Sequence, residues 1–169
     1  MSHGISLTLP VLQRPNFFAG LLLSADDLRA EQTYHRERTR LHNRLLHGVG
    51  VVAGLDVRSS GPRILIGPGM ALDPAGNEIV LAHESSLTPA AGTKGGSALF
   101  VLVRYTEALT DPIELGDRTE FTRIVHGASL TLAEVAPRTH DDAIAIARLL
   151  WRTTQWRVDA RYRRRRVKR

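Results

Sequence analysis

The sequence predicts an α+β fold, in which one long N-terminal helix is followed by a mostly antiparallel domain rich in β-hairpins. Residues 24–48 carry helix signals at both ends, the apolar period becomes alternating after Gly48, and turn residues then recur at short intervals. The chain accordingly divides into four segments, which are an apolar extended arm (1–23), the long helix (24–48), a β-rich domain (49–160) and a basic tail (161–169).

The arm carries many apolar residues but no helical period. Pro10 and Pro15 bias the residues before them toward extended backbone. Apolar side chains of this density rarely stay in water, so the arm is expected to cover its own domain or a neighbouring subunit. Its candidate partner-binding residues are Phe17, Phe18, Leu21 and Leu22.

The helix has clear boundary signals. Ser24 is placed to cap the first turn, Asp27 stands where a capping box needs an acid, and Gly48 suits the left-handed residue that ends a helix. We therefore predict one continuous helix between these positions.

Polar residues run beside the apolar stripe of this helix, which predicts a partly buried, ion-paired surface. The stripe is Leu28, Tyr34, Leu41 and Leu45, and the polar set is Glu31, His35, Arg38 and His42. We expect the polar set to make structural hydrogen bonds, some of them one turn apart along the helix. Glu31 and His35 could instead share a metal ion, but the sequence has no HExxH motif and no cysteine, so no metal site is predicted.

Beyond the helix the sequence predicts successive hairpins. Residues 83–97 are expected to form an exposed loop, 108–119 a polar connection, and Gly127 a break or bulge. Residues 143–151 could be helix or strand, and the alternation of Ile144 and Ile146 favours strand. The predicted strands are 50–58, 63–66, 70–72, 78–81, 98–107, 120–126, 128–135, 143–151 and 156–158.

The composition indicates a single domain of 169 residues without disulfides, since cysteine is absent. No apolar run is long enough to cross a bilayer, and the first residues lack a signal-peptide pattern. The expected location is the cytoplasm, with no membrane insertion.

The positive charge is concentrated in the tail. The formal net charge is +6, and residues 161–169 hold seven of the 23 lysines and arginines without any acid. The preceding 160 residues therefore carry 16 cations against 17 anions, a net charge of −1. A nucleic-acid-binding surface usually spreads its charge over a face of the domain, so nucleic acid is not the expected partner.

Catalytic motifs are missing from the sequence. No serine lies in a Gly-x-Ser-x-Gly elbow, and the turn 67–69 lacks the helix and lysine of a phosphate-binding loop. The paired acids 26–27 and 141–142 suit the ends of helices or turns better than acid–base catalysis. We predict that the protein is not an enzyme and has no catalytic residues and no cofactor.

Several motifs resemble a small protein family found with phage-tail-like contractile injection systems, and together they span about residues 14–81. They are the stretches 14–20, 23–35, 41–48, 51–55 and 68–79. The resemblance implies a baseplate or tail-fibre-associated structural subunit that assembles with copies of itself or with baseplate, spike or fibre proteins. It brings no catalytic residues.

These observations predict a structural assembly component, and they leave three interpretations of the tail. It could lie in an acidic groove of a partner, contact nucleic-acid phosphates with help from Tyr162, or remain a disordered solubilising end. We favour partner docking, with nucleic-acid binding as the alternative function. The tail residues assigned to partner binding are Arg161, Arg163, Arg164, Arg165, Arg166, Lys168 and Arg169.

Overall fold

The structure, a computed structural model, describes residues 9–90, 98–138 and 141–168. Helix α1 spans Ala25–His42 and continues into a π-helical turn, Asn43–His47. The described strands are β1 Gly50–Gly54, β2 Val57–Ser60, β3 Arg63–Ile66, β4 Gly69–Leu72, β5 Glu78–Leu81, β6 Ser85–Leu87, β7 Leu99–Leu115, β8 Arg118–Ala133, β9 Ala143–Arg152 and β10 Gln155–Val158. The predicted α+β fold, one helix followed by antiparallel strands, is confirmed.

The predicted helix ends are present. The Ser24 hydroxyl accepts a hydrogen bond from the Asp27 amide at 3.2 Å, and Asp27 accepts one from the Ser24 amide at 2.9 Å. Hydrogen bonds from Ser24 lower the pKa of Asp27, so the cap remains charged at neutral pH. At the other end Gly48, at φ +71°, donates to the Asn43 carbonyl.

Among the described residues, no helix is long and apolar enough to span a membrane.

The described strands form three sheets around one main core. Their orders are β1-β4-β5, β2-β3-β6 and β10-β9-β7-β8. The core contains fully buried side chains from all three sheets, including Val51, Ile64, Ile79, Val101 and Leu149. No single sheet could cover these side chains on its own, so the sheets depend on one another for stability.

The predicted strand 50–58 is wrong, because the chain bends in its middle. Gly54 and Leu55 both have positive φ angles, 59° and 55°, and the Leu55 side chain is fully buried. The bend sends β1 and β2 into different sheets. Burial of Leu55 outweighs the cost of a left-handed conformation at a residue with a Cβ.

The prediction of a loop over 83–97 is also wrong in part. Residues Ser85–Leu87 form β6, which pairs with β3 and places Leu87 opposite Ile64. This short strand is the third strand of the sheet β2-β3-β6 and lies next to β3, in which the side chain of Ile64 is fully buried. Residues 91–97 of the predicted loop lie outside the described residues.

The predicted connection 108–119 is instead part of a long hairpin. Strands β7 and β8 pair in one register from Phe100–Ala133 to Leu115–Arg118, with an interruption at Asp111, which has φ +56°, and they turn at Gly116 and Asp117. Gly127 lies opposite Thr106 within this ladder, with no shift of register, so the predicted break there is wrong. The polar residues are tolerated because this end of the hairpin is exposed.

The prediction that residues 143–151 form a strand is confirmed. β9 lies between β7 and β10, and Ala143–Ala147 are all buried. A strand covered on both faces has an almost continuous apolar sequence, which explains why helix and strand were hard to separate. The predicted closing hairpin from β9 to β10 is present as well.

Helix α1 is attached to the β-domain by polar contacts near its end. No residue of α1 itself, all of which is described, is buried. Asn43 in the following turn is 5 % exposed and donates from Nδ2 to the Gly76 carbonyl at 3.0 Å. Arg40 Nε donates to Asn77 Oδ1 at 2.7 Å. The β4–β5 turn therefore determines where the helix lies.

The described part of the tail packs on its own domain. Tyr162 meets Phe100 edge to face with ring centres 6.0 Å apart, on the side of β7 away from the main core. Further on, the Arg165 carbonyl accepts from the Val51 amide at 2.8 Å, and the Val167 amide donates to the Val51 carbonyl at 3.3 Å. Residues 165–167 thus extend the β1 sheet by one parallel strand segment.

Replacing Gly76 by Ala is expected to loosen the attachment of the helix. An added Cβ would lie 2.3 Å from the Arg40 carbonyl oxygen, and Gly76 has φ +86°. Gly116→Ala is the matched control, because Gly116 also has positive φ but has no atom within 4 Å of the added Cβ. We expect about 1–2 kcal/mol of destabilisation for the control and roughly 1–3 kcal/mol more for Gly76→Ala, measured by urea unfolding. Equal losses would contradict close packing of this turn on the helix.

Replacing Asp159 by Asn is expected to reduce the dependence of stability on acid pH. The buried Asp159 carboxylate accepts from the Arg161 amide at 3.0 Å and from Arg148 Nε at 2.7 Å, and these contacts lower its pKa. A lowered pKa contributes stability that is present above the unfolded value of about 3.9 and is lost as the pH falls through the folded value.

Melting temperatures between about pH 7 and pH 3 test this expectation. Asp159→Asn should lower the melting temperature at neutral pH and flatten its fall in acid, whereas Asp117→Asn, an exposed carboxylate at the hairpin turn, should change neither. Wild-type and Asp159→Asn curves that run parallel would contradict the role of Asp159.

Candidate functional site

The arm exposes apolar side chains where it leads into the helix. Leu22 is 91 % exposed, Phe18 64 % and Phe17 49 %, whereas Leu21 is half-buried. The Leu21 amide donates to the Phe18 carbonyl at 3.1 Å, and Gly20 takes a positive φ, so the segment turns back just before α1. All four predicted arm residues therefore lie in or beside one turn.

Residues 11–13 of the arm lie beside the helix. A shallow cavity of about 260 Å³ separates residues 11–13 from Ala30, Tyr34 and Glu37 on α1. Leu23 and Leu28, which follow the turn, are also about half exposed. We call the exposed apolar set at the start of α1 the arm surface, and its members are Phe17, Phe18, Leu22, Leu23 and Leu28. Contiguous exposed apolar side chains are typical of protein-binding surfaces.

Of the predicted polar set, Glu31 and His35 form the expected ion pair, whereas Arg38 and His42 form none with the residues that the structure describes, and the set is less buried than expected. His35 Nε2 lies 2.9 Å from Glu31 Oε1 one turn away, and Arg40 donates to Glu37 at 2.7 Å. The predicted apolar stripe is also shallow, since Leu28 and Leu45 are about half exposed. Within the described ranges there is no group of three or more His, Asp or Glu side chains placed to hold a metal ion.

A cleft of about 250 Å³ lies between α1, the β4–β5 turn and the base of the β7–β8 hairpin. At its edge Glu107 accepts from the Tyr105 hydroxyl at 2.7 Å and from Arg36 at 3.0 Å. The tyrosine hydrogen bond and the Arg36 charge lower the pKa of Glu107, while burial and this carboxylate raise the pKa of Tyr105 to about 12. At neutral pH the phenol stays protonated and the carboxylate charged, so the pair joins helix to hairpin and does not exchange a proton.

The outer part of the β7–β8 hairpin forms a second exposed surface that the sequence analysis missed. Strand β9 pairs with β7 only as far as Arg104, and beyond it β7 and β8 continue as a two-stranded ribbon, residues 105–128. Its exposed apolar residues are Leu109, Ile113, Leu115, Phe121, Ile124 and Val125. The dipeptide Gly116-Asp117 between two alternating runs was the signal for this hairpin.

The basic residues of the tail differ in their surroundings. Arg164 is turned toward its own domain, where it donates to the Leu55 carbonyl at 2.7 Å and to Asp56 at 2.9 Å. The other described cations are exposed and form no ion pair with the described part of the chain. We call these side chains the basic strip, and they are Arg161, Arg163, Arg165, Arg166 and Lys168. Arg169 lies outside the described residues.

The structure does not gather the predicted site residues into one pocket. The arm residues lie at the start of α1, whereas Arg165 and Arg166 of the strip lie beside β1. The arm surface is apolar and the strip is charged, and both kinds of side chain are suited to contact with another protein.

No protein-family model matches the chain, and no curated protein matches it. Solved structures do match. The chain is similar to a crystal structure of TssK, with a TM-score of 0.54, 15% identity and coverage of 88% of this chain and 41% of that one. It is also similar to the baseplate complex from the type VI secretion system, with a TM-score of 0.62 and 13% identity. That match covers 92% of this chain and 60% of the other one.

A third similar structure is the TssK-TssF-TssG baseplate subcomplex of the type VI secretion system, with a TM-score of 0.59 and 14% identity. That match covers 91% of this chain and 62% of the other one. The chain spans between about two fifths and three fifths of the length of these neighbours. At such identities the similarity is one of fold. The chain therefore shares its fold with type VI secretion baseplate proteins, as the predicted resemblance to phage-tail-like baseplate components implied.

Proposed function

We propose that the protein is a structural assembly component of a phage-tail-like contractile injection system. It acts at the baseplate or the fibre attachment region, where it binds neighbouring baseplate, spike or fibre subunits or further copies of itself. It is made in the cytoplasm and assembles there into the particle. The observation that carries this proposal is the exposed arm surface on a fold shared with baseplate proteins.

The apolar side chains of the arm surface supply the driving force for binding. Complete burial of an exposed leucine or phenylalanine stabilises a complex by about 1.5–3 kcal/mol. Leu22, at 91 % exposure, can gain nearly this full amount, while Phe17, at 49 %, gains about half. Several such residues together are needed to outweigh the entropy lost on association.

The geometry of the cleft favours a structural role over a catalytic one. Its most perturbed groups, Tyr105 and Glu107, hydrogen-bond to each other and are shifted away from neutral pH in opposite directions. A general acid or base works best with a pKa near the operating pH. The similarity to structural baseplate proteins points the same way.

Removing the apolar side chains of the arm surface is expected to prevent incorporation into particles. We would express epitope-tagged protein in cells that assemble the contractile particles, purify the particles by ultracentrifugation and detect the tag by immunoblot. Wild-type protein should sediment with the particles, and Phe17→Ser/Phe18→Ser should lose at least about nine tenths of this signal, which corresponds to about 1.4 kcal/mol or more.

Val135→Ser is the matched control, since Val135 is 77 % exposed but lies just beyond β8 and outside the arm. It should sediment like wild type. Wild-type protein that is absent from the particles would refute the proposed function, and full incorporation of the double variant would refute the role of the arm.

A further inference from the structure

The ribbon leaves several of its apolar side chains exposed among the residues that the structure describes. A two-stranded hairpin without a third strand is marginally stable in water. Here the six exposed apolar residues of the ribbon are each between 43 % and 60 % exposed. The register places Leu109 opposite Ile124 and Ile113 opposite Glu120, so one face of the ribbon presents apolar and acidic side chains together.

Acidic residues dominate the charge of the outer ribbon. Residues 109–124 contain four carboxylates and two arginines, a net charge of −2. The carboxylates are Asp111, Glu114, Asp117 and Glu120. All four are exposed, and none forms an ion pair with any residue that the structure describes.

The basic strip has the opposite character. Its five cations are exposed and lie in a segment without any acid. The backbone of this segment is fixed by hydrogen bonds to Val51 and by the Lys168 amide, which donates to the His47 carbonyl at 2.9 Å. A charged surface on a fixed backbone loses little conformational entropy when it binds.

We propose that the ribbon of one copy of the protein docks on the basic strip of a second copy. This inference rests on the proposed function, because it identifies one of the neighbouring subunits as the same chain. Complementary charge sets the orientation of the two copies, and Leu109, Ile113 and Ile124 supply the apolar area. Since the two surfaces differ, the contact is heterologous and repeats from copy to copy until it closes into a ring or extends as a filament.

Charge reversal on either surface should weaken self-association. Asp117→Lys/Glu120→Lys changes the tip of the ribbon and the face that carries Ile113, and Arg165→Glu/Arg166→Glu changes the strip without removing the tail segment that covers β1. For each variant we expect a dissociation constant at least about tenfold weaker than wild type by analytical ultracentrifugation. Glu134→Lys and Arg63→Glu, exposed charges outside both surfaces, are the matched controls and should associate like wild type.

Mixing the two reversed variants gives the more decisive result. Each variant alone presents a ribbon and a strip of like charge, but in a mixture each ribbon meets a strip of opposite charge on the other variant. Association should therefore return in the mixture and also in one chain that carries all four substitutions. Raising the salt from about 0.15 M to about 1 M should weaken both wild-type and mixed assemblies, because the screening length falls from about 8 Å to about 3 Å.

Several outcomes would overturn the proposal. They are a wild-type protein that stays monomeric at tens of micromolar, variants that associate as tightly as wild type, and a mixture that does not recover association. A strip variant that only loses affinity for DNA or RNA, measured in parallel, would also overturn it and would favour nucleic acid as the occupant of the strip. Circular dichroism and thermal melting must show wild-type folding for each variant.

These results are independent of the test of the proposed function. Self-association is measured on the purified protein, whereas incorporation into particles is measured through the arm surface. A protein that enters particles but does not self-associate keeps the proposed function and loses this inference. A protein that self-associates but never enters particles loses the proposed function and keeps the contact between copies.

Discussion

The position of helix α1 depends on the buried amide of Asn43 in the turn that follows it. This side chain donates to the Gly76 carbonyl, and Arg40 one turn earlier binds Asn77 in the same β4–β5 turn. A helix without buried residues has no apolar packing to hold it at a fixed angle. These polar contacts therefore fix the angle of α1. The positions of the arm surface at the far end of α1 and of the cleft beside the ribbon depend on this attachment and on the contact of Arg36 with Glu107.

The parts of the fold that were predictable from the sequence are those set by local chemistry. Ser24, Asp27 and Gly48 define the helix ends through hydrogen bonds within a few residues, and the structure has each of these bonds. Short hairpins such as β4–β5 were equally clear, because turn residues stand between two brief apolar runs. The arm could be recognised as a candidate surface because Phe17 and Phe18 are large apolar residues in a segment broken by prolines.

Features set by distant parts of the chain were not predictable in this way. The left-handed Leu55 is stabilised by a core that three sheets build together, so the neighbouring Gly54, a local signal for a break in a strand, does not by itself reveal the bend. The sequence predicted a polar connection over residues 108–119 and a strand over 120–126, so it missed the pairing of β7 with β8 there, although the Gly116-Asp117 turn is a hairpin signal. The sequence predicted a tail that docks on a partner, and its charge pattern contains no sign of the pairing of residues 165–167 with β1.

The pairing of residues 165–167 with Val51 has a consequence for biosynthesis. The edge of β1 stays open on the ribosome until this late segment emerges, because its partner is translated after nearly all of the domain. A nascent chain that stops earlier retains unpaired backbone groups at that edge, and such edges invite aggregation or capture by chaperones. Until residues 165–167 pair with Val51, the nascent domain therefore keeps one open sheet edge.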